Sequence, residues 1–197
     1  MIIEAFTLSI LIGFIRKGRL YNLGRAPLRY FYVFIIPFAI LAGMMLTSLA
    51  GKNTAWQPYV RAANIVQYAT ILTAVALNLH MRELWSAAVG TFLNLLVIAA
   101  NGGVMPMSAK ALRVAGLTQL LDPERTSRFI RHAIIAPDTR LKLLTDIIPV
   151  PVPVPGFRFI SQVASIGDLL ISVAVFVFVQ RYMLAPAADV KGKTTGE

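Results

Sequence analysis

The stretch "LWSAAVGTFLNLLVIAANGGVMP", residues 84–106, decides how this chain is organised, because a long apolar run ends there in polar and helix-breaking residues. Asn101 and the two glycines after it can end a helix through a left-handed cap, and Pro106 prevents the helix from resuming. We therefore predict that a membrane helix stops here and that the chain turns sharply into a surface segment. In a second interpretation, Gly102 and Gly103 expose backbone to a headgroup or ligand that a side chain would exclude.

The composition leaves a large apolar surface to be buried. Of the 197 residues, 57% are hydrophobic and 14% are charged, and the mean hydropathy is +0.69. One soluble core of ordinary proportions cannot bury so much apolar surface, so we expect lipid to bury it. A helix crosses the hydrocarbon layer in roughly 17–25 residues. On this basis the predicted membrane spans lie near residues 2–15, 30–50, 58–81, 84–101 and 165–184, the first of them only just long enough.

These spans predict an all-α fold, a polytopic membrane helix bundle of about five transmembrane helices. Residues 1–184 form a single transmembrane domain, residues 102–164 form a surface segment within it, and residues 185–197 form a flexible tail. No signal peptide is predicted, because no basic region precedes the first apolar run and no small-residue cleavage pattern follows it.

Lysine and arginine residues between the spans predict the orientation. The loop after the first span contains Arg16, Lys17, Arg19, Arg25 and Arg29. Such loops are typically cytoplasmic. With five spans the N-terminus then lies outside and the C-terminus lies in the cytoplasm. The surface segment also lies outside although it is basic, because segments of about its length translocate largely regardless of charge.

The formal net charge of +10 raises the question of a nucleic-acid partner. The basic residues flank apolar spans and do not cluster on one polar face among aromatic residues, so nucleic-acid binding is not expected. Anionic lipid headgroups are the expected partners of these charges, and other membrane protein subunits are the expected protein partners.

The surface segment is predicted to contain short amphipathic helices and an extended strut. Ser108 can cap a first helix that runs to about Leu121, Asp122 can cap a second, and Asp138 can cap a third. The helices either lie on the membrane surface or pack as a cap on the ends of the spans. The alternating prolines from Pro149 to Pro155 predict a polyproline strut, because they cannot hold a helix or a central strand.

Polar residues recur at helical spacing within three of the spans. The three stripes are Asn64, Gln67 and Asn78; Gly90, Asn94 and Asn101; and Ser161, Ser165, Asp168 and Ser172. We expect these stripes to face one another, because lipid offers no hydrogen bonds. They serve either as structural contacts between helices or as the lining of a polar path.

Asp168 is a carboxylate within an otherwise apolar span, which makes it a candidate proton or ion site. It also completes the Ser-x-x-acid form of a capping box with Ser165, which would place it in the first turn of the last helix. Helix capping is the interpretation that we favour.

The sequence contains no recognisable catalytic constellation. Cysteine is absent, which removes disulfides and thiolate metal sites, and His80, Glu83 and His132 have no metal-ligand spacing. No cofactor, metal or catalytic residue is therefore predicted. Asp138, Arg140 and Asp146 form either a headgroup site, with acid and base beside a cation, or a salt-bridged turn.

Four segments together resemble a known family. They are "RKGRLYNLGRAPLR", "NGGVMPMSAKALRVAGL", "DTRLKLLTDIIPVPVP" and "SIGDLLI". They are similar to a family of small bacterial integral membrane proteins known only as a domain of unknown function. The resemblance implies a multi-span helical protein of the bacterial inner membrane and implies no reaction. It directs attention to a set of candidate ligand or partner contacts: Asn101, Gly102, Gly103, Pro106, Ser108, Asp138, Arg140, Asp146, Pro149 and Asp168.

Three functions follow as hypotheses. The first is a non-catalytic integral membrane subunit that packs against or stabilises a larger membrane complex. The second is a small transporter or an ion or proton permeation unit, lined by Asn78, Asn94, Asn101 and Asp168. The third is a lipid-headgroup-modifying enzyme that uses His132, Asp138, Arg140 and Asp146.

Overall fold

The computed structural model describes residues 1–49, 53–122, 131–152 and 161–185. The helices are α1 (Ile2–Ile15), α2 (Ile35–Leu49), α3 (Asn53–Ala76), α4 (Trp85–Ala100), α5 (Ala109–Val114) and α6 (Ile166–Met183). Four short strands are β1 (Met105–Met107), β2 (His132–Ile134), β3 (Ile148–Val150) and β4 (Gln162–Ala164). Short 3-10 helices occupy Leu20–Arg25, Phe31–Phe34, Arg82–Leu84, Thr118–Leu121 and Lys142–Leu144.

The five longer helices pack side by side, with α6 between α1 and α4, α3 against α4, and α2 against α3. Helices α1 and α6 run in the same direction, since Met1 contacts Gln162 just before α6, while Arg16 contacts Gln180 near its end. The other neighbours are antiparallel. In α4 and α6, for example, Asn94 meets Asp168 and Glu83 meets Arg181. The longer helices therefore alternate in direction along the chain.

Glycine allows the closest approach between helices α4 and α6. A Cβ atom added to Gly90 would lie 2.4 Å from the carbonyl oxygen of Gly167, which leaves no room for any side chain. The N-terminal turn of α6 therefore rests directly on the backbone of α4, and polar side chains one turn away can meet.

The outer face of the bundle is apolar, whereas several of its inner positions are small or polar. On α4, Gly90, Thr91 and Asn94 are buried, while the exposed side includes Trp85 and Phe92. On α6, the buried Gly167, Ser172 and Gln180 contrast with exposed Ile166, Leu169, Val173 and Val177. Soluble domains show the opposite arrangement, with polar residues outside.

Two helical stretches among the described residues, Arg82–Ala100 and Ile166–Met183, are long and apolar enough to cross a membrane. Two further apolar helices, Ile2–Ile15 and Phe31–Gly43, are shorter. The chain is thus mostly helical, with two helices of spanning length and composition. The predicted boundaries of the last two spans agree with α4 and α6 to within one residue.

The sequence predicts short amphipathic helices and an extended strut in the surface segment, whereas the described part of this segment contains two small sheets. Strand β1 pairs with β2 in parallel, and β3 pairs with β4 in antiparallel. The second predicted helix, which Asp122 would cap, was expected to extend through Ala133 and Ile134, but these residues lie in β2, where their backbone pairs with β1. The remainder of that expected helix, residues 123–130, lies outside the described residues.

The other predicted elements of the segment are shorter than expected. Ser108 caps α5 as predicted, accepting a hydrogen bond from the amide of Ala111 (3.3 Å), but the helix ends at Val114. Gly116 at φ +74° then reverses the chain. Asp138 lies in an exposed turn and caps no helix.

The predicted polyproline strut is a paired strand at its start. Pro149 lies in β3 opposite Val163 of β4. A two-stranded sheet has only edge strands, so a proline whose missing amide faces outward does not break the pairing. Residues 153–160 lie outside the described residues, and of the predicted tail only Ala185 is described.

Candidate functional site

A small polar cavity of about 50 Å³ lies where α3, α4 and α6 meet the surface segment. It is lined by Asn64 and Tyr68 of α3, Ile98 of α4, Met105 of β1, Arg131 and His132 at β2, Asp146, and Asp168 of α6. The helices supply one wall and the strands close the other. Residues distant in sequence therefore meet in one small space.

Asp146 is held in the cavity by its own backbone. Its amide donates to the carbonyl of Pro106 (3.0 Å), and its carbonyl accepts from the amide of Ser108 (2.9 Å). Through these bonds Asp146 forms a parallel β-bridge with Met107 of β1. The side chain is 5% exposed, and its Oδ1 has no hydrogen-bond partner among the described residues.

Burial raises the pKa of Asp146 well above its ordinary value, and the negative charge of Asp168 raises it further. Both effects disfavour the charged carboxylate. The neutral carboxylic acid is therefore favoured over a wider pH range than in an exposed aspartate. A neutral acid can donate a hydrogen bond, which a carboxylate cannot.

Asp168 belongs to a closed hydrogen-bond network at the start of α6. Its Oδ2 accepts from the amide of Ser165 (3.2 Å), and the Ser165 hydroxyl accepts from the amide of Asp168 (3.0 Å), which is the predicted capping box. Asn94 of α4 joins this network, because it donates to Asp168 Oδ1 (2.8 Å) and accepts from the Ser165 hydroxyl (2.9 Å). Asp168 is also one of the residues that line the cavity.

Asn64 contributes a second acceptor to the cavity. Its Nδ2 donates to the carbonyl of Gly103 (2.9 Å), which fixes the direction of the amide. Its Oδ1 is left without a partner among the described residues, although the side chain is only 1% exposed. Most buried polar atoms in proteins have a hydrogen-bond partner, so this atom requires an explanation.

The turn after α4 makes this contact possible. Gly103, at φ +89°, lies so close to α3 that a Cβ atom would fall 2.5 Å from the carbonyl oxygen of Arg61. Gly102, at φ +67°, has open space around it. The glycine pair therefore both ends α4 and lets the backbone of the turn touch α3.

Arg131 and His132 close the cavity from the surface segment. Burial, together with the positive charge of Arg131, lowers the pKa of His132 to about 4. The imidazole is therefore neutral at pH 7. Arg131 Nε is buried without a hydrogen-bond partner among the described residues.

The other predicted contact residues lie outside the cavity. Asn101 binds the backbone of Arg140, accepting from its amide (2.9 Å) and donating to its carbonyl (3.1 Å). Arg140 and Asp138 are exposed. Of the residues proposed for a headgroup enzyme, the structure thus brings together only His132 and Asp146.

Sequence analysis missed Tyr68, Arg131 and Met105 as members of the site. For Tyr68 a signal was present, because it follows Asn64 by four residues and so lies one helical turn further along the same face. The predicted meeting of polar stripes is correct for α4 and α6. The amides of α3 instead bind backbone carbonyls, including those of Gly103 and Pro37.

The fold and the site define a class of protein: a mostly helical bundle with apolar outer faces and a small polar cavity at one end. The chain belongs to the Family of unknown function (DUF5317), whose profile matches residues 25–180. This match confirms the resemblance to a family of unknown function. No curated protein and no solved structure gave a match. Within the described ranges, no group of three or more His, Cys, Asp and Glu side chains could hold a metal ion.

Proposed function

We propose that this chain is a non-catalytic subunit of the bacterial inner membrane that crosses the membrane five times and packs against a larger membrane complex. The observation that carries the proposal is the reversed polarity of the bundle. Large apolar side chains, such as Ile3 at 77% and Phe38 at 70%, are exposed on its outside. In water such a surface would aggregate, whereas lipid or a membrane partner covers it favourably.

The arrangement of charges supports the orientation. The basic loop after α1, Arg82 and the end of α6 lie at one end of the bundle, while the cavity and the surface segment lie at the other. The loop backbone is held there by Met183 and Asn78. With the positive-inside rule, the basic end is cytoplasmic and the cavity faces outward.

The short apolar helices support a partner. Helix α1 has 14 residues and therefore spans about 21 Å, which is less than the hydrocarbon thickness of roughly 30 Å. Short hydrophobic helices are accommodated by membrane thinning or by association with other helices. Helix α2 packs on α3 and leaves Ile35, Ile36 and Phe38 exposed. We assign the partner to this face of α2.

The transporter remains a second candidate because a polar cavity lies between the helices. The residues predicted to line a transport path are less suited to that role. Asn78 is hydrogen-bonded to the backbone of Arg29, and Asn101 is hydrogen-bonded to that of Arg140. The enzyme hypothesis has less support still, because Asp138 and Arg140 lie outside the cavity.

Copurification tests the proposal. After membrane fractionation and extraction in mild detergent, the wild-type chain is expected to elute with a companion protein at fixed stoichiometry. Phe38→Ser should release the companion without lowering the thermal stability of the bundle. Val173→Ser, on the exposed side of α6, is the matched control and should retain it. A wild-type chain that stays in the soluble fraction, or elutes alone from the membrane, would contradict the proposal.

A further inference from the structure

The basic loop, residues 16–34 between α1 and α2, is attached to the bundle through its backbone. The amide of Arg19 donates to the carbonyl of Met183 at the end of α6 (2.9 Å). Further along, both backbone groups of Arg29 are hydrogen-bonded to the side chain of Asn78, just beyond α3. The loop therefore lies on the ends of the helices, and its attachment does not use its charged side chains.

The basic loop contains five positive charges and no negative charge. Residues 16–34 include no aspartate or glutamate, and the basic residues are Arg16, Lys17, Arg19, Arg25 and Arg29. None of the five forms an ion pair with a described residue, although Arg181 at the same end of the bundle is paired with Glu83 (2.8 Å). The side chains of Lys17, Arg19 and Arg29 are exposed and donate no hydrogen bond to a described residue. These charges are therefore free to bind a negatively charged partner.

Apolar and aromatic side chains are exposed among these charges. They are Ile15, Leu20, Tyr21, Phe31 and Tyr32. The guanidinium of Arg25 lies over the ring of Tyr21, 4.6 Å from its centre. Cations mixed with exposed apolar and aromatic residues are typical of the membrane–water interface, where headgroups and acyl chains are both within reach. A soluble polyanion such as a nucleic acid has no acyl chains to cover Ile15 and Leu20, so lipid fits this surface better.

We propose that the basic loop is a docking surface for anionic phospholipids of the leaflet at this end of the bundle. Its cations face the headgroups, and its exposed apolar side chains lie among the first carbons of the acyl chains. The attraction is that of several cations for a charged surface within about 10 Å, so it does not require the cations to converge on one phosphate. This inference rests on the membrane location in the proposed function, but on neither the protein partner nor the number of spans.

Thermal unfolding of the full chain in mixed micelles tests the proposal. Tm is measured in a neutral detergent with increasing mole fractions of phosphatidylglycerol, and phosphatidylcholine at the same fractions is the reference. Phosphatidylglycerol should raise Tm above the phosphatidylcholine value, because a ligand of the native state stabilises it. The difference should shrink as sodium chloride rises from about 0.05 M to about 0.5 M, since salt screens exposed charges. Equal Tm in the two lipids at low salt would overturn the proposal.

A soluble polyanion separates lipid binding from binding of any negative charge. Heparin added to the phosphatidylcholine micelles should raise Tm less than phosphatidylglycerol does at the same negative charge, because it offers nothing to the exposed apolar side chains. An equal or larger rise with heparin would show that the loop binds soluble polyanions and would also overturn the proposal.

Matched double variants locate the effect. Lys17→Gln/Arg19→Gln removes two exposed charges of the basic loop. It should raise the mole fraction of phosphatidylglycerol needed for half of the rise in Tm by up to about 25-fold, because each basic residue near an anionic surface contributes about fivefold in affinity. Lys110→Gln/Arg113→Gln removes the same two residue types from exposed positions of α5, at the other end of the bundle, and should leave that mole fraction nearly unchanged. Equal effects of the two doubles would mean that the lipid responds to the charge of the whole chain, which would contradict a surface at the basic loop.

Failure of this inference and failure of the proposed function give different results. A chain that stays in the soluble fraction contradicts the membrane location before any lipid is added. A chain that fractionates with membranes, but has the same Tm in both lipids, contradicts the lipid surface alone.

Discussion

Two asparagine side chains each hold a loop in place through a pair of hydrogen bonds to the loop backbone. Asn78 accepts from the amide of Arg29 (2.7 Å) and donates to its carbonyl (3.0 Å), and Asn101 holds Arg140 in the same way. A side-chain amide presents a donor and an acceptor as a peptide group does, so it can pair with backbone where no strand is available. The sequence predicted that both asparagines belong to polar stripes on the predicted spans. It could not predict their partners, because every residue offers the same backbone groups.

Ser165 is expected to contribute more to stability than other buried serines. Ser165→Ala removes the cap of α6 and leaves Asn94 Oδ1 without its donor, so we expect a loss of about 2 kcal/mol in the free energy of unfolding. Ser172→Ala is the matched control, since the buried Ser172 hydroxyl has no partner among the described residues. Denaturant unfolding in detergent measures both, and equal losses would contradict the assigned role.

His132 should make stability depend on pH. Its pKa is about 4 in the folded protein and 6.5 when exposed, so below pH 6.5 the unfolded chain takes up a proton that the folded chain does not. Stability is therefore lost as pH falls from 6.5 towards 4, by at most about 1.4 kcal/mol per pH unit. Asp146 acts oppositely, because its raised pKa favours the folded state at low pH.

Replacing His132 separates the effect of its titration from that of Asp146. His132→Gln should flatten the loss of Tm between pH 6.5 and pH 4.5 relative to the wild type. His80→Gln, at an exposed histidine outside the cavity, is the control for replacing a histidine. Identical pH profiles for wild type and His132→Gln would show that His132 does not titrate as described.

At the scale of elements, helices and strands differed in how well the sequence predicted them. Helices α4 and α6 were located closely, because an apolar run with a clear stop signal, as in α4, or a clear start signal, as in α6, is recognised locally. Strands β1 to β4 were missed, because three-residue strands have no measurable periodicity and depend on partners far along the chain. Met105 pairs with His132, for instance, and Ile148 pairs with Ala164. The cavity was missed for the same reason, since the surface segment brings Arg131 and Asp146 to it.

The glycine contact between α4 and α6 gives a prediction at this scale. Gly90→Ala places a methyl group against the backbone of Gly167, and we expect a loss of about 1–3 kcal/mol in the free energy of unfolding. Gly43→Ala in α2 meets nothing within 4 Å and should stabilise its helix by up to about 1 kcal/mol. Thermal unfolding of the two variants compares them, and a neutral Gly90→Ala would mean that the helices lie further apart.

At the scale of the whole molecule, the alternating helix directions place the basic loops and the surface segment at opposite ends. The chain has no cysteine, so single cysteines can be introduced without background. In intact cells, an impermeant maleimide should label Asp138→Cys. Lys17→Cys and Arg82→Cys should be labelled only after the membrane is opened. Labelling of all three in intact cells would contradict the proposed topology.

The packing of α1 along α6 also affects how the protein is made. Roughly 150 residues separate the two helices, and a ribosome adds about 5–20 residues per second. Helix α6 is therefore synthesised roughly 8 to 30 s after α1. During that interval the glycine face of α1, which includes Gly13 and later meets Met183, has no native partner. In the proposed membrane topology, either the insertion machinery or the surrounding lipid therefore shelters the first helix until translation is nearly complete.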